Sequence, residues 1–220
     1  MLLLARGVWL FVGAANLTIG VTMSKKLKVT AVAGSTSRPS RTLTLVEEIA
    51  ERLGKHLPIE LNLIELGELG PDLGASLNYD SIKPAVRKAI DDIESTDVLI
   101  FATPVYRGSY TGLLKHLFDL VHYESLIDVP VLLAATGGSL RHSLVIEHQL
   151  RPMFSFFQSL TLPVGVYAIE SEFTNYKISN EALDQRIDLA IERALPFLKH
   201  RELATPKAAE ATAKLVASAS

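Results

Sequence analysis

The 220-residue chain contains no cysteine, which excludes disulfide staples, thiolate nucleophiles and cysteine-held metals. Excess charge is also lacking. With 22 Lys and Arg against 24 Asp and Glu, the formal net charge is -2, which argues against nucleic acid as a partner. No G-x-G-x-x-G follows a strand and no Walker A pattern occurs, so neither a fixed dinucleotide nor ordinary nucleotide hydrolysis is indicated. No G-x-S-x-G elbow is present, and Ser139 and His142, though close in sequence, lack an evident acid partner. The histidines at 56, 116, 122, 142, 148 and 200 do not show metal-ligand spacing beside carboxylates. Beyond the N-terminus, no apolar run approaches the roughly 20 residues of a membrane span. What remains is a chain 48% hydrophobic and 21% charged, suited to one globular domain with a sizeable core.

The N-terminal stretch "MLLLARGVWLFVGAANLTIGVTM" is apolar and holds one cation, Arg6. Two readings stand. One is a start placed upstream of Met23, which immediately precedes the polar "SKKLKV". The other is a targeting segment, either an export signal in which "GAA" stands for a cleavage site or a membrane anchor. Residues 1–23 are therefore set apart from a single domain over 24–200. The low-complexity tail at 201–220 is expected to be frayed or disordered.

Within the domain, apolar runs and helical periodicity alternate five times. Leu27 to Ala33 reads as a strand, and Leu43, Val46, Ile49, Ala50 and Leu53 mark the helix after it. "PIELNLIEL" is a strand, "GELGPDLGASLNYD" a loop punctuated by Gly and Pro, and Ile82 to Ile93 a helix. "DVLIFATP" is a strand before a helix at Thr111–His122. "VPVLLAAT" is a strand before a helix at Ser143–Leu160. "LPVGVYAI" is the last strand and Glu181–Leu198 the last helix. Such alternation predicts an α/β fold, a five-stranded parallel sheet with helices on both faces. The doubly wound flavodoxin-like order suits five strands with a polar loop after the first, and its ligand lies beyond the strands' carboxyl ends.

Three strand-to-helix loops would then open on one edge. The first, "GSTSRPSRT", brings Ser35, Ser37, Ser40 and Thr42 as hydroxyl donors and Arg38 and Arg41 as cations to a helix N-terminus, where unpaired amides favour an anion. Capping accounts for one or two of these hydroxyls. The second, "TPVYRGSYTG", sets Pro104, Val105, Tyr106 and Arg107 before its helix. The third, "TGGS", offers Thr136, Gly137 and Gly138, whose backbone a ligand can approach without Cβ obstruction. A phosphate cradle beside an aromatic loop and a Gly-Gly loop describes a flat phosphorylated ligand, and flavin mononucleotide fits. Taken singly, "TGG" is only a tight turn and Tyr106 only a core aromatic. Arg107 reads equally as a steering residue for the phosphates of a pyridine nucleotide and as a solvated surface residue.

The segments "PSRT", "TPVYRGSYTGLLKHLFDL", "LIDVPVLLAATGGS" and "HQLRPMFSFFQ" with "LTLPVGVYA" carry a resemblance over about residues 25–200. The chain resembles the NAD(P)H-dependent FMN reductases of sulfonate-utilisation systems, nearest the branch that serves methanesulfonate oxidation. That resemblance implies FMN as a substrate or exchangeable cofactor, NADH or NADPH as hydride donor, and a dimer or tetramer. It also implies delivery of FMNH2 to a two-component sulfonate monooxygenase in the cytoplasm. It places Ser35, Ser40, Arg41 and Thr42 on the phosphate. Pro104, Val105, Tyr106 and Arg107 fall on the ring, and Thr136, Gly137 and Gly138 on its other edge. The wider family often has arginine in the fourth place of G-S-x-R, where this chain has Ser37 and then Arg38, so either Arg38 or Arg41 serves the phosphate. No catalytic side chain and no metal are implied. Two other readings share the fold: a quinone or azo reductase holding FMN tightly, and a flavodoxin-type electron carrier, which a net charge of -2 disfavours.

In "SLVIEHQLRPMFSFFQ" Pro152 lacks an N–H, so the His148 carbonyl loses its ordinary helical partner. A wide π-turn in which the Met153 N–H serves that carbonyl is one solution, and a simple proline kink is the other. In the resembled reductases a π-helix at this place lies at the subunit interface near the flavin. His148 and Pro152 are thus expected at an interface.

Overall fold

The computed structural model describes residues 26–203 and, as backbone alone, an antiparallel hairpin pairing Trp9–Gly13 with Asn16–Gly20. That hairpin apart, the expectations for 1–23 and for 204–220 lie outside the described residues.

Five strands build the main sheet: β1 (Leu27–Ala33), β2 (Ile59–Glu65), β3 (Val98–Pro104), β4 (Pro130–Gly137) and β5 (Val166–Ile169). All pair in parallel, in the order β2-β1-β3-β4-β5, and a two-residue strand at Leu160–Thr161 extends the β4 edge. This is the flavodoxin-like order, with the switch between β1 and β3. Every residue of β3 is buried, as expected of a central parallel strand covered on both faces. β2, at the edge, leaves Leu61 and Leu63 exposed.

Helices α1 (Arg41–His56) and α6 (Glu181–Leu203) cover one face. Arg52 of α1 bonds Glu48 and reaches Asp184 and Asp188 of α6, fixing the two helices side by side. α2 (Leu66–Ala75), α3 (Pro84–Glu94), α4 (Gly112–Asp119) and α5 (Arg151–Phe156) cover the other face. α2 is a correction, since the Gly- and Pro-rich sequence there reads as a loop. Leu66, Leu69 and Leu73 recur at helical spacing and are all buried, and burying that stripe outweighs the local cost of Gly and of Pro71. α4 is also shorter than the expected Thr111–His122.

The core of the α3–α5 face centres on Phe101. Its ring meets Phe118 and Phe154 edge-on at centroid distances of 5.1 and 4.9 Å, and those two meet each other at 5.5 Å. Such T-shaped pairs add to the area they bury. Among the described residues no helix is long and apolar enough to cross a membrane. Truncating fully buried Phe154 to alanine is expected to cost about 3–5 kcal/mol of unfolding free energy. Leu77→Ala, at an exposed position, should stay within about 0.5 kcal/mol. Urea denaturation midpoints at constant m-value provide the check.

Candidate functional site

The loop from β1 to α1 begins at Gly34, whose N–H donates to the Ala102 carbonyl at 2.8 Å. A Cβ here would meet Leu114 Cδ2 at 2.5 Å and the Ala102 oxygen at 2.9 Å, so packing against α4 requires glycine. At the loop's far end Ser40 is extended, and its hydroxyl accepts from the Leu43 N–H at 3.2 Å, an N-cap. The Thr44 N–H returns to the Ser40 carbonyl. The first-turn amides of Arg41 and Thr42 have no carbonyl ahead of them within the helix and point out of its end. Thr42 Oγ1 lies 2.6 Å from Thr136 Oγ1, both residues buried, which ties the start of α1 to the end of β4.

The two arginines separate. Arg41 turns into the cleft, with Nη2 2.5 Å from Glu170 Oε1 and its guanidinium 5.0 Å above the Tyr176 ring centroid. Its Nε is buried and has no hydrogen-bond partner. Arg38 turns the other way, giving Nε to Glu65 Oε2 at 2.8 Å, with Nη2 also on Glu65 and 3.1 Å from Glu68 Oε1. The Glu65 carboxylate raises the Arg38 pKa above its ordinary value. Arg38 thus lines an adjoining recess of about 220 Å³ with Glu65, Gly67 and Glu68, walled on its near side by Ser35, Ser37 and Ser40.

After β3, the Val105 N–H donates to the Thr136 carbonyl at 2.8 Å, holding Pro104 and Val105 against the end of β4. Tyr106 and Ser109 exchange backbone bonds at 2.8 and 3.2 Å around Arg107 (φ 52°) and Gly108 (φ 85°). Arg107 is the exposed tip of this reversal and falls outside the cleft lining. Sequence spacing could not reveal this, because the tight turn carries the residue after Tyr106 away from the edge. On its other side the loop meets Gln149, whose Oε1 accepts from the Ser109 hydroxyl at 3.2 Å.

The paired glycines have different reasons to be glycine. A Cβ on Gly137 would lie 2.1 Å from Tyr167 Oη. That hydroxyl is fixed by donating to the Ser139 carbonyl at 2.7 Å, and burial pushes the Tyr167 phenol above its usual pKa, so it keeps its proton. A Cβ on Gly138 would meet nothing within 4 Å. Gly137 therefore answers to the fold, and Gly138 leaves space in the cleft.

The three loops converge on one cleft of about 260 Å³. Ser35, Ser40, Arg41 and Thr42 line it from the first loop, Pro104, Val105 and Tyr106 from the second, and Thr136, Gly137 and Gly138 from the third. Glu170 and Tyr176 complete the wall and were missed in the sequence. Both follow the carboxyl end of β5, so extending the edge argument to the fifth strand would have found them. Tyr176 sits in a small hairpin, Phe173–Thr174 against Lys177–Ile178, with Asn175 and Tyr176 at positive φ. The residues fit a phosphorylated planar ligand: outward amides and hydroxyls, a buried guanidinium nitrogen without a partner, and open space over Gly138. Among the described residues no group of three His, Asp or Glu could hold a metal ion.

Next to the ring loop, Ile146–Leu150 is a π-helix with His148 at its centre. Its wide bond joins the Arg151 N–H to the Ile146 carbonyl, two residues earlier than the expected Met153–His148 pair. Pro152 consequently falls at the start of α5, directly after the wide turn, where the π-helix runs on into α5 without a break. His148, Met153 and Phe156 border an apolar groove of about 640 Å³, together with Tyr79, Tyr110 and Tyr123. This larger cavity lies on the far side of the ring loop from the cleft.

The family model for NADPH-dependent FMN reductase matches residues 27–174. A protein of Pseudomonas fluorescens, the NADH-dependent FMN reductase SfnF, is 58% identical over 175 residues, spanning 80% of this chain and 94% of its own. The FMN reductase (NADPH) of Pseudomonas aeruginosa is 55% identical over 179 residues, 81% of this chain and 96% of its own. Among solved structures, an oxidoreductase from Corynebacterium diphtheriae superposes with a TM-score of 0.72 at 29% identity, covering 80% of this chain and 98% of that one.

The two glycines should respond differently to an added methyl group. Gly137→Ala is expected to destabilise the fold by about 1–3 kcal/mol, and Tyr167→Phe in the same chain should restore part of the loss. Gly138→Ala should leave the melting temperature unchanged but weaken FMN uptake about tenfold, by filling space the ligand needs. Thermal melts and flavin-fluorescence titrations read the two effects separately.

Proposed function

Because the chain belongs to the NADPH-dependent FMN reductase family, we propose that its cleft takes free FMN as a substrate and releases it reduced. NAD(P)H-dependent reduction of FMN is the activity of the chain. FMN itself supplies the hydride acceptor, so the protein's work is to bind, orient and exclude. The observation that carries the reading is the convergence of the α1 N-terminus, Pro104–Tyr106 and Thr136–Gly138 on one cleft.

The chain's residues divide the task by chemistry. The Arg41 and Thr42 amides, the Ser35 and Ser40 hydroxyls and Arg41 Nε are the donors for a phosphate. Pro104, Val105 and Tyr106 give an apolar wall for a planar ring. The backbone at Gly137 and Gly138 is the donor edge for charge that gathers on the ring. No side chain is required as acid or base.

The reduced product is delivered to a flavin-dependent sulfonate monooxygenase in the cytoplasm, the compartment that holds NAD(P)H. Two observations support this: the resemblance of the loops to sulfonate-linked reductases, and a cleft that presents little net charge to retain a flavin. The chain works as a dimer or tetramer through the groove beside the π-helix. Phe156 and Tyr123 are exposed there, 69% and 55%, and clustered exposed aromatics of this kind are characteristic of interaction surfaces.

Full-length protein is expected to oxidise NADH or NADPH rapidly only when free FMN is added. Rapid turnover with a quinone and none with free FMN would overturn this reading. Arg41→Gln should raise the KM for FMN about tenfold while barely affecting riboflavin, which lacks the phosphate. Arg38→Ala should leave both within about twofold, as expected for an arginine held in an exposed ion pair elsewhere. For assembly, Phe156→Glu should shift the protein toward monomer in sedimentation velocity; an unshifted profile would remove this groove as the interface.

A further inference from the structure

The phosphate end of the cleft has an odd charge balance. Among the described residues lining it, Arg41 is the one cation and Glu170 the one carboxylate, so their formal charges cancel. Arg38, the other arginine of the loop, is held by Glu65 and Glu68. A phosphate monoester carries between one and two negative charges near neutral pH. The single cation lining the site already has an anion on it.

Glu170 is also built into place. It opens the short turn Glu170–Glu172 at the end of β5. Behind it, buried Glu172 accepts from the Ile169 N–H at 2.7 Å and faces Arg186 of α6 at 3.3 Å. Arg186 in turn donates to the Tyr167 carbonyl at 2.7 Å. Ahead of it, the Thr44 hydroxyl donates to the Tyr176 carbonyl at 2.9 Å, pinning the small hairpin onto α1. The backbone around Glu170 is thus anchored on both sides, while the carboxylate itself is 60% exposed and can turn into solvent. Its counterpart, Arg41, keeps one buried donor, Nε, unused.

We infer that Glu170 is a built-in competitor for the flavin phosphate: it occupies the Arg41 guanidinium, repels the incoming anion, and keeps FMN exchangeable. The inference rests on the reading of this cleft as the flavin site. Its signature is selective for the phosphate. Removing the carboxylate charge should tighten FMN and leave riboflavin alone, and the difference should fade as salt screens the exposed groups.

The test is titration of full-length wild type, Glu170→Gln and Glu170→Ala with FMN and with riboflavin, followed by flavin-fluorescence quenching. Both variants should bind FMN about three- to tenfold more tightly than wild type, with riboflavin affinity within about twofold. At about 0.5 M salt the FMN advantage should largely disappear. Unchanged FMN affinity would overturn the inference. So would weaker FMN binding, which would make Glu170 a residue that orients Arg41. An equal gain for riboflavin would overturn it as well, because the phosphate would then not be the group opposed. Wild type that takes up no FMN would instead defeat the flavin-site reading on which the inference rests.

Discussion

All strands of the main sheet run the same way, and the site depends on that constraint. Parallel pairing fixes every carboxyl end at one edge, and the order β2-β1-β3-β4-β5 leaves the loops after β1, β3 and β4 side by side. The register makes the alignment close: Ala33 stands opposite Ala102, and Pro104 opposite Thr136. Where β1 and β3 send their chains to opposite faces, the loops part and a crevice opens. Two contacts hold the crevice in shape, the Thr42–Thr136 hydroxyl pair and the Val105 N–H on the Thr136 carbonyl. Thr136 thus serves both neighbours at once, through its side chain and its backbone.

The electrostatics of this edge suit an anion held largely by neutral donors. Outward amides at the α1 N-terminus favour an anion without adding net charge, and the hydroxyls around them supply direction. The stronger device would be a free guanidinium, and the chain has two within reach. One is engaged by Glu65 and Glu68, the other by Glu170 and the Tyr176 ring.

The sheet and the three loops were legible because they rest on local rules: apolar runs for buried strands, helical spacing for their cover, and polar or glycine-rich connections at one edge. What stayed hidden needed tertiary contacts. The stripe of Leu66, Leu69 and Leu73 was masked by Gly67, Gly70, Pro71 and Gly74, so α2 read as loop. Arg38 and Arg41 carry the same chemistry three residues apart, and only the turn geometry and the position of Glu65 separate them. The pair Gly137 and Gly138 looks uniform in sequence, yet Tyr167, some thirty residues on, dictates the first alone. Glu170 and Tyr176 reach the cleft through a strand end and a two-residue hairpin with no motif of their own.

The ring loop is the wall of the cleft least supported by the sheet. Tyr106 to Ser109 turns back on itself in solvent, held on one side by Val105 and on the other by the Ser109–Gln149 hydrogen bond. Gln149 belongs to the π-helix. An extra residue in one turn rotates everything after it by about 100° relative to an unbroken α-helix. That rotation sets which side chains of α5 face the groove and which stay in the core: Phe154 is buried against Phe101, while Met153 and Phe156 border the groove. The same wide turn therefore supports the ring wall through Gln149 and shapes the groove through His148 and Phe156. Ser109 stands three residues from Tyr106, the aromatic residue of the cleft wall, and its neighbour Tyr110 lines the groove instead. The Ser109–Gln149 hydrogen bond is thus the direct link between the π-helix and the loop that walls the cleft.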